Sequence, residues 1–244
     1  MNLILDEKAT ILIDVELPDP APVPPPLRAL MSALKVILVG WYAVPDQTSP
    51  AQARDQFEDE AQEALDRVAE TFRDSGAEVQ THVVFTGNQL DTIERISAEQ
   101  DCDAVLIANP IEHLERILVP LRGLHNAERI AHFVADLVKD GTTDVTLLHI
   151  LEEEEEKAAI EEDVLDKVSS MAVEKGIDAG LIRLRIEVAD DPGDAIIDIA
   201  KEYDVVVIGE TEPSVRAVIF GSVPEQIAQE AEVPVMVVRR RGGE

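Results

Sequence analysis

Aromatic residues are scarce in this chain of 244, at 3% of positions with one tryptophan among them. A core must therefore be built from valine, isoleucine, leucine and alanine. Hydrophobic residues at 45% of positions are ample for one. That composition suits a parallel sheet buried on both faces. Cysteine is scarcer still. Cys102 stands alone, which excludes an intrachain disulfide, and it reads as a small packed residue ahead of an apolar run. The five histidines and this cysteine show no CxxC or HExxH spacing, so no metal site is expected. No apolar run reaches the roughly 20 residues of a membrane-spanning helix. The opening MNLILDEKATILIDVEL is broken by acids and has no basic segment, so it is not a signal peptide. A soluble, cytoplasmic protein without membrane insertion is expected.

Positive charge is also in short supply. There are 50 acidic residues against 7 lysines and 14 arginines, for a net charge of −29. Such a surface repels nucleic acid and anionic membranes, which excludes both as partners. Acid spread over the whole chain with so little lysine reads as adaptation to a salty, halophile-type cytoplasm. At molar salt charges are screened within about 3 Å. The charge is read as a solubility device. The run Glu152–Glu156 is read as a solvated loop, because a linear acid run rarely supplies the converging oxygens that Ca²⁺ requires.

What the chain does have is a regular alternation. Short runs rich in β-branched residues lie at 9–15, 35–41, 79–85, 104–109, 116–121, 144–150, 181–188, 204–209 and 234–240. Each is bounded by turn formers, as buried strands are. Between them lie stretches of helical spacing: 50–74, with Phe57, Ala61, Ala64, Leu65, Val68 and Phe72 on one face, then 126–139 and 158–175. Asp191 and Pro192 open a further helix, and Ser222-Val223-Pro224-Glu225 is a capping box for the last one. Strand–helix alternation predicts a mostly parallel, open α/β sheet flanked by helices.

The pattern occurs twice. ATILIDV (9–15) matches ERILVPL (115–121), Asp91–Ile96 matches Asp194–Ile199, and DAVLIA (103–108) matches DVVVIG (204–209). Two units are expected in tandem, a degenerate one over 1–112 and a complete one over 113–244. The first has a proline-rich loop, PDPAPVPPP (18–26), after its first strand and lacks a last helix and a fifth strand.

Ligands of open α/β sheets sit beyond the carboxyl ends of the strands. In the second unit those ends hold Pro120, Arg122 and Gly123, then Ile150, then Gly209 and Glu210. The last helix opens there at Gly221, Ser222 and Val223, where its N–H groups can meet an anion. Arg122 and Arg216 are the best candidate phosphate contacts, and Glu210 and Glu212 oppose them by charge.

ERILVPLRGLHNAERIAHFVADL resembles the opening strand and helix of a universal stress protein domain, and VVVIGETEPSVRAVIFGSVPEQIAQEAEVPVMVVRR resembles its closing segment. The resemblance rests on Gly209, Gly221-Ser222 and the last strand. It implies five-stranded parallel sheets of the adenine nucleotide alpha hydrolase-like type. It also implies a homodimer through the last strand, residues 234–239, unless the tandem halves satisfy each other within one chain, and in some members ATP or another adenine nucleotide in the crevice. ATP-binding members follow G-x2-G-x9-G-S/T. Here Glu212 stands at the second glycine, the spacing from it to Gly221 is one residue short, and Arg122 stands at the family's aspartate.

No GxxxxGKS/T phosphate loop and no GxSxG elbow occurs. The expected function is therefore non-catalytic binding or regulation in the stress response, with a weak adenine-nucleotide crevice confined to the second unit. Two alternatives stay open: a nucleotide-hydrolysing enzyme of the same fold, with Asp190, Asp191, Glu210 and Glu212 as metal-binding carboxylates, or a protein-interaction module regulating a transporter.

Overall fold

A computed structural model describes residues 8–44, 48–124, 126–139, 141–151, 164–210 and 223–239. Among the described residues nine strands form, one at each β-branched run: β1 Thr10–Leu17, β2 Lys35–Ala43, β3 Glu78–Thr86, β4 Ala104–Ile107, β5 Arg116–Pro120, β6 Asp144–Leu151, β7 Ile182–Val188, β8 Val205–Gly209 and β9 Val235–Val238. They join one sheet in the order β3-β2-β1-β4-β9-β8-β5-β6-β7. Every pairing is parallel except β4 with β9.

The helices are α1 Pro25–Leu30, α2 Pro50–Asp74, α3 Gln89–Glu99, α4 Ala127–Val138, α5 Asp166–Glu174, α6 Pro192–Ala200 and α7 Val223–Gln226, which continues as a π turn over Ile227–Ala231. Helix α2 starts where Ser49 Oγ accepts from the Gln52 N–H at 3.2 Å, with Pro50 in the first turn. Its buried face contains Ala61, Ala64, Leu65, Val68 and Phe72, the stripe expected from the spacing, while Phe57 stacks on Tyr42 at 5.2 Å between ring centres. The proline-rich segment is not all loop. Pro25 opens α1, because a fixed φ and a missing N–H suit a first helical turn. Of the helix expected over 158–175, residues 158–163 lie outside the described residues, as do Glu152–Glu156.

Helices cover both faces. On one, α1, α2, α4 and α5 pack into a continuous apolar layer that runs from Ile11 and Leu38 to Val145 and Val207. The opposite face is divided, with Ile93 and Ile96 of α3 over β1, β2 and β4, and Ile196 and Ile197 of α6 over β5, β6 and β8. Cys102 lies in the α3 cluster, and burial pushes its thiol up to about 12. This is an unreactive packed thiol.

The two halves share a plan. The order β3-β2-β1-β4 is that of β7-β6-β5-β8, and the registers agree: Thr10 lies opposite Lys35 as Arg116 lies opposite Asp144, and Ile11 opposite Ala104 as Ile117 opposite Val205. The strand starts are held by one device used twice. Asp103 accepts from the Thr10 N–H at 2.9 Å, and Asp204 accepts from the Glu115 and Arg116 N–H groups at 2.8 and 2.9 Å.

Strand β9 corrects the expected assembly. Residues 234–239 do not offer a sheet edge to a second chain. Val237 is opposite Val105 on one side and Ile208 on the other, so both edges of β9 are paired within the chain. A homodimer through this strand has no unpaired backbone to use. Among the described residues the first half has no fifth strand of its own, and β4 pairs with β9 instead. The edges of the described sheet are β3 and β7.

Candidate functional site

The carboxyl ends of β5 and β6 and the start of α6 enclose a cavity of about 420 Å³. Its lining is Pro120, Leu121 and Arg122 from β5 and the following bend, Leu148, His149 and Ile150 from β6, and Pro192 and Ile196 from α6. The sequence places each wall. Pro192 sits in the first turn of α6 because Asp191 caps it, its Oδ1 accepting from the Gly193 and Asp194 N–H groups at 2.8 and 3.2 Å. Ile196 follows one turn later, on the same side as Pro192. The ends of β5 and β6 are tied twice: the Leu121 N–H donates to the Leu148 carbonyl at 2.8 Å, and the His149 Nδ1–H donates to the Leu121 carbonyl at 2.6 Å. A carbonyl only accepts, so Nδ1 is the donor in that contact.

Six of the eight lining residues are apolar, and Arg122 and His149 are the polar two. Arg122 is exposed. Among the described residues no ion pair engages it, whereas Arg129, Arg183 and Arg185 are each held by a carboxylate. The chain bends away at Gly123, whose φ of +143° favours glycine.

Of the residues singled out in the sequence, Pro120, Arg122 and Ile150 come together here. Gly123 adjoins them, and Val223 approaches α6, its Cγ2 being 3.7 Å from where a Cβ on Gly193 would stand. Glu212, Arg216, Gly221 and Ser222 lie outside the described residues. Gly209 has a packing role. A Cβ there would stand 2.9 Å from Ile130 Cδ1 and 3.5 Å from Asn126 Nδ2, so its bareness lets α4 lie against β8. Glu210 is 5% exposed and directly follows β8, with its N–H on the Val238 carbonyl at 2.8 Å. Leu121, Leu148, His149, Pro192 and Ile196 were missed as lining residues. The internal match of Asp91–Ile96 to Asp194–Ile199 was the available signal for Pro192 and Ile196. Asp191 is engaged as a helix cap, and among the described residues no group of three His, Cys, Asp or Glu is placed to hold a metal ion. Nor is any described helix long and apolar enough to cross a membrane.

Comparison with known proteins agrees with this architecture. The family model described as Universal stress protein family matches residues 113–239, just over half of the chain. A universal stress protein from Archaeoglobus fulgidus matches with a TM-score of 0.66 at 16% identity, over 98% of this chain and 99% of its own. A functionally unknown protein from Pseudomonas aeruginosa matches with a TM-score of 0.56 at 16% identity, over 96% of this chain and 93% of its own. At such identities the likeness is one of fold. No curated protein matches the chain.

Proposed function

Because the chain belongs to the universal stress protein family, we propose that it is a non-catalytic, cytoplasmic binding protein of the stress response that takes an adenine nucleotide in the cavity of its second half. The cavity itself carries this reading. About 420 Å³ between Pro120, Ile150, Pro192 and Ile196 is room for a flat heterocycle against apolar walls. Arg122 at the rim offers a planar, doubly donating cation to a phosphate in a chain of net charge −29. A neutral, apolar ligand would leave that guanidinium without a role.

Binding is favoured over hydrolysis by the lining. Metal-assisted phosphoryl transfer needs a carboxylate beside the phosphates to hold the ion. The described lining residues include none, and Asp191 beside them is taken up as the cap of α6. On this reading residues 1–112 are a truncated copy of the unit that residues 113–244 complete. The shared strand order, the matched registers and the paired Asp103 and Asp204 contacts support it.

Isothermal titration of adenosine, AMP, ADP and ATP tests the ligand class. Arg122→Ala is expected to weaken the phosphorylated ligands about tenfold, as loss of a charge-assisted contact does, and to leave adenosine unchanged. An equal loss for adenosine and AMP shows that the guanidinium does not meet phosphate. No binding by any of the four overturns the nucleotide reading.

A further inference from the structure

The matched registers assign every wall of the cavity a counterpart in the first half. Pro120 lies opposite Leu148 as Asp14 lies opposite Val39, and continuing β2 and β6 by two residues brings Trp41 to the place of Ile150. The helix caps agree as well: Asn88 accepts from the Asp91 N–H as Asp191 accepts from the Asp194 N–H, which sets Gln89 against Pro192 and Ile93 against Ile196. The cavity lined by Pro120, Ile150 and Pro192 thus has its counterpart at Asp14, Trp41 and Gln89.

These three side chains do not stand apart. Gln89 Nε2 donates to Asp14 Oδ2 at 2.6 Å, and the Trp41 indole lies near enough to the same carboxylate to favour its charged form. Burial pushes the Asp14 carboxyl up from its ordinary range, opposed by the Gln89 hydrogen bond and the Trp41 indole. Two of the three walls are therefore tied across the space that their apolar counterparts leave open, with the indole of the third beside them, since proline and isoleucine side chains cannot hydrogen-bond to one another. The rim differs too. Glu16, exposed, stands four residues after Leu12 as Arg122 stands four after Leu118, so the cation of one half is an anion in the other.

We propose that the first half carries a closed copy of the ligand cavity, with the Trp41 indole, beside the bonded pair of Asp14 and Gln89, in the place of a bound heterocycle. The first half is liganded by its own side chains. The chain therefore takes one ligand, and the first half accepts a planar N–H heterocycle only once Trp41 is gone. This goes beyond the second-half reading but rests on it for the template, while its test reads contacts of the first half.

The test uses the full-length chain. Trp41→Ala is expected to melt at lower temperature than the parent and to regain about 3 °C in millimolar indole through binding linkage, a gain larger than the parent's. A variant whose midpoint indole moves no more than the parent's overturns the inference. Should Trp41→Ala not fold, the parent gives the answer, because Trp41 is its single tryptophan. Its emission is expected to keep its wavelength and its low acrylamide quenching in millimolar adenosine or AMP. A red shift, or two calorimetric sites per chain, overturns the closed copy. The two readings fail separately. Loss of all AMP binding sinks the second-half cavity while the indole rescue still stands, and a failed rescue sinks the closed copy while AMP titration still stands.

Discussion

Val237→Pro is expected to break the sheet at its centre and to cost about 3 kcal/mol or more. Val237 is 1% exposed and lies between Val105 of β4 and Ile208 of β8. Proline removes a ladder donor and is confined to sheet edges and bulges for that reason. The abandoned carbonyl is buried, and an unmet buried acceptor costs about 1–3 kcal/mol before any displacement of the two neighbouring strands. Against a typical total stability of about 5–15 kcal/mol this is severe. Urea unfolding followed by circular dichroism measures it. The midpoint should fall sharply, or the chain should fail to fold. An unchanged midpoint contradicts a β9 that ties the halves together.

Asp204→Ala is expected to cost nearly as much, about 3 kcal/mol. One oxygen of this carboxylate accepts from the Glu115 and Arg116 N–H groups at 2.8 and 2.9 Å, and the other lies 3.4 Å from His113 Nε2. Hydrogen bonds to a charged group contribute about 1.5–3 kcal/mol each, and truncation leaves both N–H groups at the start of β5 without an acceptor. Asp204→Asn keeps an oxygen for them and should lose clearly less. Thermal melts of the two variants decide it. If alanine and asparagine cost the same, Asp204 does not anchor β5 by accepting from its backbone.

Much of the fold could be read from the sequence because it is built from strong local signals. ATILIDV, KVILVGW and DVVVIG are β-branched runs between turn formers, and each became a strand within two residues of the expected span. The stripe of α2 follows from its spacing alone. Strand order is a different matter. PVMVVRR reads as a strand with an edge to fill, and nothing local says whether that edge is filled by a second chain or by β4. The answer lies in the first half, which ends without a fifth strand and leaves β4 open beside β9.

The site was partly visible for a similar reason. Pro120, Arg122 and Ile150 follow from the rule that ligands collect at strand ends, but Pro192 and Ile196 reach the cavity only because Asp191 fixes where α6 begins. Gly209 stays ambiguous, since a glycine that makes room for Ile130 looks the same in sequence as one that makes room for phosphate. The closed first-half copy was hidden altogether. Asp14, Trp41 and Gln89 are far apart in sequence, and only the register brings a carboxylate, an indole and an amide to one point.

The central claim is that a single ligand cavity opens at the carboxyl ends of β5 and β6. The most direct measurement is isothermal titration of AMP into the parent and into Ile150→Trp, which sets an indole where the first half has Trp41. The account predicts one site per chain in the parent and no measurable heat in Ile150→Trp, with the circular dichroism spectrum of the two unchanged. A folded Ile150→Trp chain that binds AMP as the parent does would contradict it.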